Sequence, residues 1–163
     1  MNENTVRVGV TGLAWLGGGT GSAENLVREV VLEARQEILL TVYSITPGGN
    51  DMLTWIESRV AGGVNAVIVV DHLRGQSGGD MLFGLADRAA GRVQLYDHRA
   101  PAPLHAKCLV VDRDTAVVGS PNVSFNGMVA SHELVVAIHG PAAAEIGGLI
   151  DRLRLSPLTT QVR

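Results

Sequence analysis

Two short apolar runs, residues 37–43 and 65–70, place the strongest constraint on how this chain can fold. Each run is almost uninterrupted by polar residues and is rich in Val, Ile and Leu. Strands of this composition are typical of the centre of an α/β sheet, where helices cover both faces. A helical pattern between the two runs, over residues 51–61, indicates one such helix. The runs therefore predict a sheet sandwiched between helices.

Periodicity and the positions of Gly and Pro give the remaining elements. The expected strands are residues 6–10, 37–43, 65–70, 92–96 and 132–138, and the expected helices are residues 22–36, 51–61, 80–90 and 141–153. The first strand is expected at a sheet edge, and the residues after the last helix are expected to be loosely held. The predicted fold class is α/β, with a single mixed β-sheet flanked by helices on both faces, in one domain over residues 1–163. Because 46 % of residues are hydrophobic and only 4 % aromatic, we expect a core of Val, Leu, Ile and Ala.

The segment from residue 105 to residue 122 combines a strand pattern with reactive side chains. Apolar residues 109–111 and 116–118 lie on either side of an Asp-Arg-Asp-Thr turn, which predicts a β-hairpin. Side chains alternate along a strand, so His105 and Lys107 are expected next to each other on one face of the first hairpin strand. That strand is expected to hold His105 rigidly.

The second hairpin strand ends in Gly119, Ser120 and Asn122. A glycine lets a ligand approach the backbone closely, and the two polar side chains can donate hydrogen bonds. Together with the imidazole and the ammonium they form a site suited to a phosphate group. No pair of carboxylates or histidines in the sequence has metal-ligand spacing, so neither a catalytic metal nor a cofactor is expected.

The spacing His-x-Lys, four residues, Asp, six residues, Gly-Ser-x-Asn resembles the signature of the phospholipase D superfamily of phosphodiesterases. The matching residues are His105, Lys107, Asp112, Gly119, Ser120 and Asn122. Short single-motif bacterial nucleases of that superfamily have a comparable length and order of strands and helices. The resemblance implies a phospholipase D/nuclease-like fold and a hydrolase that cleaves phosphodiester bonds without a metal ion.

The resemblance also implies roles for individual residues. His105 is expected to attack phosphorus and form a phosphohistidine, while Lys107 and Asn122 stabilise charge on the phosphate oxygens. A later glutamate orients the motif histidine in these nucleases, and Glu133 stands where that residue is expected. The expected catalytic set is His105, Lys107, Asn122 and Glu133, and the expected substrate contacts in the motif are Ser120 and Gly119.

Full phospholipases of this superfamily carry two copies of the motif, whereas this chain has a single His-x-Lys. One histidine cannot act both as the nucleophile and as the acid that protonates the leaving group. By analogy with the single-motif members, we expect a homodimer with a shared active site. His105 of the second subunit would then be the general acid and base.

Four other features carry separate expectations. His72 follows the buried run 65–70 and is interpreted as a substrate-side contact, the alternative being an exposed loop histidine. Asp112 lies off the His-Lys face, since 112 minus 105 is odd, and is expected to have a structural role. The sole cysteine, Cys108, excludes an internal disulfide and is expected to be a buried thiol. The glycine-rich residues 16–22 lack the Gly-Lys-Ser/Thr ending of a phosphate-binding loop, so we expect a flexible loop bordering the cleft.

The sequence constrains the identity of the substrate less than it constrains the type of reaction. A net charge of −3 argues against a generic nucleic-acid binder, although a local cluster of arginines can still make a positive cleft. The arginines in the central half of the chain, which are otherwise interpreted as solvated, are Arg74, Arg88, Arg92, Arg99 and Arg113. We expect a nucleic-acid substrate, DNA or RNA, and the alternatives are hydrolysis of phospholipid headgroup esters and a non-catalytic nucleic-acid-binding dimer. The sequence contains no targeting segment or membrane-spanning run, so a cytoplasmic location without membrane attachment is expected.

Overall fold

A nine-stranded mixed sheet runs through the chain in a computed structural model, which describes residues 3–15, 21–124 and 126–163. The strands are β1 (Thr5–Thr11), β2 (Gly21–Ser22), β3 (Glu37–Val42), β4 (Asn65–Asp71), β5 (Val93–His98), β6 (Cys108–Val111), β7 (Thr115–Gly119), β8 (Glu133–His139) and β9 (Thr159–Gln161). The α-helices in the described ranges are α1 (Ala23–Glu33), α2 (Asn50–Ala61), α3 (Gly79–Arg88) and α4 (Pro141–Arg154).

The strand order across the sheet is β2-β1-β8-β7-β6-β3-β4-β5-β9. Strands β3, β4 and β5 are parallel to one another, because α2 and α3 make the crossovers between them. Strand β6 pairs antiparallel with β3, and the hairpin of β6 and β7 leads antiparallel into β8 and then β1. This arrangement confirms the predicted mixed sheet.

Strand β3 shows why the apolar runs are almost continuous. Ile38 and Leu40 are buried in the core that the sheet forms with α1, α2 and α3. Leu39, which points to the other face, is buried in a second core with Ala143 and Ile150 of α4. Full burial of each such side chain stabilises the fold by roughly 1.5–3 kcal/mol. Helices therefore cover both faces of the sheet, as the sequence predicts.

Two expectations about the ends of the chain are wrong. Strand β1 is not at the sheet edge, because the two-residue strand β2 pairs with Gly9 and Val10. The residues after α4 are not loose, since they form β9, which pairs antiparallel with β5 and closes an edge that would otherwise expose unpaired backbone groups. Arg163 adds an ion pair to Asp87 at 2.9 Å. Most of the glycine-rich segment 16–22 falls outside the described residues, which resume at Gly21.

The turn between β6 and β7 is fastened to the start of β3 by one carboxylate. Asp112 accepts hydrogen bonds from the backbone N–H groups of Arg35, Gln36 and Glu37 at 2.8, 2.8 and 2.9 Å. Its own N–H donates to the carbonyl of Glu37 at 3.0 Å. Asp112 and Arg113 both have left-handed backbones, with φ of 52° and 54°, a conformation that Asp tolerates in tight hairpin turns. Asp112 therefore fixes the β6–β7 hairpin against the start of β3. This contact lies at the edge of the sheet opposite to His105.

We expect Asp112→Asn to lower the free energy of unfolding by about 1–3 kcal/mol, because it removes charge-assisted bonds and turns an amide N–H₂ toward a backbone N–H. Urea unfolding measures the change. Asp114→Asn is the matched control in the same turn, since the Asp114 side chain is 63 % exposed, and its effect should stay within about 0.5 kcal/mol. Equal destabilisation by both variants would contradict this role of Asp112.

Candidate active site

The ends of six strands bring polar side chains together at one edge of the sheet. The carboxyl ends of β3, β4 and β5 meet there, and the antiparallel pairings add the start of β6, the end of β7 and the start of β8. In sheets of this kind, that edge is where ligands bind. The polar side chains at or just beyond these strand ends are Tyr43, Asp71, His98, His105, Lys107, Ser120, Asn122 and Glu133.

His105 and Lys107 do not lie on the hairpin strand, which begins only at Cys108. The segment before it is fixed by side chains of neighbouring strands. Thr41 of β3 donates to the carbonyl of Ala106 and accepts from the N–H of Cys108, both at 2.9 Å. The predicted strand is therefore too long at its start, because a threonine hydroxyl takes the place of ladder bonds there. His105 is therefore carried by a segment outside the strand, which Thr41 holds in place.

The side chains of His105 and Lys107 contact each other, as alternation predicts. The ammonium Nζ of Lys107 lies 3.2 Å from Nδ1 and 3.4 Å from Nε2 of the imidazole, and it donates to the carbonyl of His105 at 3.0 Å. Burial lowers the pKa of Lys107 below its ordinary value, and the nearby carboxylate of Glu133 partly offsets that effect. An ammonium at this position can interact with the imidazole and with an anion bound beside it.

Tyr43, which the sequence reasoning missed, forms a wall of the site. Its ring centroid is 4.2 Å from that of His105, with the two planes tilted by 59°. The Nζ of Lys107 lies 5.0 Å from the same ring centroid, within the range of a cation–π contact. Gln76 donates to the carbonyl of Tyr43 at 3.0 Å and so fixes the backbone there. The available sequence signal was the position of Tyr43, directly after a buried strand at the carboxyl edge.

Glu133 bonds to Ser120 in this chain. The hydroxyl of Ser120 donates to a carboxylate oxygen of Glu133 and accepts from the N–H of Leu134 at 3.2 Å. Within the described part of the chain, no hydrogen bond joins Glu133 to His105, whose ring packs on Tyr43 instead. The pairing of β7 with β8 continues past Gly119 and places Ser120 opposite Leu134, next to Glu133, which explains the preference. The expected contact between Glu133 and the imidazole is therefore absent from the described part of this chain.

Gly119 and Asn122 lie where the polypeptide leaves β7. A Cβ atom on Gly119 would lie 2.5 Å from the carbonyl oxygen of Leu134, so the close approach of β8 excludes any side chain there. The Oδ1 atom of Asn122 is buried and has no hydrogen-bond partner among the described residues. A buried unpaired acceptor costs on the order of 1–3 kcal/mol, a cost typical of groups that await a ligand or a water.

A small apolar pocket lies directly beneath the motif. Its lining includes Lys107, Cys108, Gly119 and Asn122. Cys108 is half-buried, and burial raises the pKa of its thiol, which keeps the thiol protonated. The pocket brings both halves of the sequence motif, the His-x-Lys segment and the Gly-Ser-x-Asn segment, to one place.

The remaining sequence candidates are distributed over both edges of the sheet. His72 follows β4 at the active-site edge, with a 54 % exposed side chain whose Nδ1 lies 3.2 Å from Asp71. Asp112 lies at the opposite edge. The arginines of the central half are also divided: Arg74 and Arg99 follow β4 and β5 at the active-site edge, whereas Arg88, Arg92 and Arg113 lie at the other edge. The five arginines therefore do not form one cleft.

Comparisons with known proteins agree with this geometry. Residues 27–152 match the family model described as "Cardiolipin synthase, PLD-like domain". The chain is 26 % identical over 119 residues to the DISARM protein DrmC of Bacillus paralicheniformis, covering 71 % of the chain and 49 % of that protein. It is also 26 % identical over 130 residues to cardiolipin synthase A of Pectobacterium carotovorum, covering 74 % of the chain and 26 % of that protein. The chain thus spans about half, or less, of the curated relatives it matches.

Solved structures share the fold over nearly the whole chain. Nuc from Salmonella typhimurium, a phospholipase D family member, superposes with a TM-score of 0.80 at 23 % identity and covers 99 % of both chains. NucT from Helicobacter pylori gives a TM-score of 0.70 at 17 % identity, covering 96 % of this chain and 98 % of that one. The phosphatidylserine synthase of Haemophilus influenzae gives 0.72 at 12 % identity, covering 99 % of this chain and 40 % of that one. The family match and these folds confirm the resemblance to the phospholipase D superfamily.

We expect Glu133→Gln to lower the pKa of Lys107 further, because the substitution removes the negative charge that favours the ammonium form. Lys107 is the only lysine in the chain, so amine acetylation measured as a function of pH, with peptide mapping to separate the N-terminal amine, reports its titration directly. The control is Glu29→Gln on α1, whose exposed carboxylate pairs with Arg7. An unchanged or raised Lys107 pKa in Glu133→Gln would show that the two groups do not interact.

Proposed function

Since the chain belongs to the phospholipase D-like family whose model matches residues 27–152, we propose that it is a metal-independent nuclease. The proposal is that it cleaves nucleic-acid phosphodiester bonds through a covalent phosphohistidine. The observation that carries it is the contact between His105 and Lys107 at the edge where Ser120 and Asn122 also lie. In the described residues, no group of three or more His, Cys, Asp or Glu side chains is arranged to hold a metal ion.

The chemistry divides into two displacements at phosphorus. In the first, a nitrogen of His105 attacks, the P–N bond forms, and the P–O bond to the leaving alkoxide breaks as a second imidazole protonates that oxygen. In the second, the same imidazole removes a proton from water, which attacks phosphorus and releases His105. The ammonium of Lys107, the side-chain N–H₂ of Asn122 and the hydroxyl of Ser120, once it turns from Glu133, stabilise the charge on the non-bridging oxygens. Binding of an anionic phosphate gives Lys107 a stronger partner than the imidazole and frees the ring nitrogens for attack.

The second imidazole is proposed to be His105 of a second subunit. Three other histidines lie at the same edge, and each already has a partner. His72, just after β4, lies against Asp71, and His98, at the end of β5, bonds to Thr159 at 2.8 Å. The Nε2 atom of His132, just before β8, accepts from the N–H of Ala14 at 3.1 Å. A two-fold homodimer would instead place two identical His-Lys pairs around one phosphate. In that arrangement Glu133 orients the imidazole of the second subunit once the Ser120 hydroxyl turns from Glu133 to the phosphate.

An apolar sheet face beside the site supports a homodimer. Val6 and Val8 of β1 are 59 % and 45 % exposed, and Leu134 of β8 is 40 % exposed. These side chains share one face, because Leu134 pairs directly with Val10 and antiparallel partners project to the same side. The opposite face of β8 is buried under α1. Leu134 adjoins Glu133, so a second copy covering this face would lie next to the active-site edge.

A phospholipid substrate is the second candidate, and one observation favours it. Leu13 is 80 % exposed and Trp15 is 46 % exposed, and both follow the end of β1 at the active-site edge. Exposed aromatic and aliphatic side chains of this kind can insert into a membrane interface. No helix within the described residues is long and apolar enough to cross a bilayer. Cosedimentation with liposomes separates the two candidates, since a nuclease should remain in the supernatant.

We expect the wild-type protein to cleave both bis(p-nitrophenyl) phosphate and an oligonucleotide in excess EDTA. His105→Ala should reduce the rate by at least about 10²–10⁴-fold, the usual effect of losing a general acid or base, and by more if the nucleophile is lost as well. Initial rates measure the effect, and samples denatured in alkali, where the P–N bond is stable, should contain phosphohistidine only in the wild type. His139→Ala is the matched control, because His139 is an exposed histidine at the opposite end of β8.

Two outcomes would contradict the proposal. Loss of activity in EDTA would show that a metal ion takes part, and activity that persists in His105→Ala would remove the proposed nucleophile. A wild type that binds oligonucleotide without cleaving it and never forms phosphohistidine would support the non-catalytic binding module instead.

A further inference from the structure

Two neighbouring strands end in the same arrangement, a buried aspartate that holds an exposed basic side chain. Asp97 of β5 is 5 % exposed, accepts from the N–H of Leu73 at 2.8 Å and accepts from Nε of Arg99, also at 2.8 Å. Asp71 of β4 is 6 % exposed, accepts from the N–H of Leu104 at 2.9 Å and lies 3.2 Å from Nδ1 of His72. Each carboxylate therefore faces inward and fixes a basic side chain that faces outward.

The Arg99 guanidinium is oriented and still available. Its side chain is 58 % exposed, and only Nε takes part in a hydrogen bond within the described residues. The backbone N–H of Arg99 donates to the carbonyl of Leu158 at 2.8 Å, so the residue is anchored at both ends. The two terminal nitrogens form a planar pair of donors, the geometry that arginine uses for bidentate binding of phosphate.

The spacing from the motif suits a chain of phosphates. Strand β6 is separated from β5 by β3 and β4, which amounts to three strand spacings or roughly 14 Å. Measured along the axis of a B-form duplex, that distance covers about four phosphates of one strand. It covers fewer phosphates along an extended single strand. A second phosphate contact this far from His105 is of use only to a substrate that carries several phosphodiesters in a row.

We propose that Arg99, held by Asp97, and His72, held by Asp71, form an accessory subsite for the backbone phosphates of a nucleic-acid strand. This inference depends on the proposed nuclease function, because it extends the same site along the sheet edge. The strand would run from His105 across the ends of β4 and β5, with phosphates at Arg99 and His72 and the scissile phosphate at His105. The buried aspartates act through these two basic side chains and do not themselves contact the substrate.

The test compares two arginines at opposite ends of one strand. Arg99 follows β5 at the active-site edge, and Arg92 precedes β5 at the other edge, where it donates to the carbonyl of Gly63 at 3.0 Å. Affinity for a fluorescent single-stranded oligonucleotide is measured by anisotropy in the non-cleaving His105→Ala background, alone and with Arg99→Gln or Arg92→Gln. We expect Arg99→Gln to weaken binding by about fivefold, the factor for one unit-charge contact at 4 Å in water. Arg92→Gln should leave the affinity unchanged.

The salt dependence separates a phosphate contact from a change in folding. The slope of log affinity against log salt should become shallower by about 0.7 in Arg99→Gln, as expected when one single-strand phosphate contact is lost. Arg99→Lys keeps the cation above Asp97 and should retain most of the slope with lower affinity. Urea unfolding of the variants checks that the fold is intact.

Unchanged affinity and slope in Arg99→Gln would overturn the subsite, as would equal losses in Arg99→Gln and Arg92→Gln. Failure of the proposed nuclease is a different result: the wild type would then cleave neither oligonucleotide nor bis(p-nitrophenyl) phosphate. The binding measurement still reports on Arg99 in that case, because it does not depend on cleavage.

Discussion

Strands β3 and β4 are buried on both faces of the sheet, and this double burial determines where the helices and the other strands lie. Because β3 and β4 need apolar cover on each side, α1–α3 lie against one face and α4 against the other. The crossovers that place α2 and α3 make β3, β4 and β5 parallel, so their carboxyl ends meet at one edge. The polar residues that follow those strands then lie together on one surface, while the apolar residues of the strands stay buried.

The same constraint explains how the motif is positioned. Thr41 on β3 fixes the segment that carries His105, and Asp112 fastens the far end of the β6–β7 hairpin to the start of β3. Contacts with β3 therefore fix the hairpin at both ends. As a result, the imidazole of His105 lies beside Lys107 and Tyr43. A single chain supplies one imidazole, one ammonium and Asn122, whose Oδ1 atom has no hydrogen-bond partner in the described part of the chain. These groups are half of the set that phosphoryl transfer through a histidine requires.

Local patterns in the sequence predicted the central strands, the four helices and the hairpin, because each depends on periodicity within a short stretch. The motif residues were also identified from the sequence, because their spacing resembles the phospholipase D signature. Contacts between distant segments were not predictable in this way: Tyr43 reaches His105 only because β3 and β6 are neighbours, and β9 forms because β5 presents an open edge. The partner of Glu133 was missed for the same reason, since the pairing of β7 with β8 places it beside Ser120.

In the proposed homodimer, two subunits share one site and each must supply His105. Wild-type and His105→Ala chains that are unfolded and refolded together in varied proportions test this requirement. If both imidazoles are needed, mixed dimers are inactive and activity follows the square of the wild-type fraction, falling to about a quarter when half of the chains are mutant. Activity that falls in direct proportion to the wild-type fraction would show that each chain works alone.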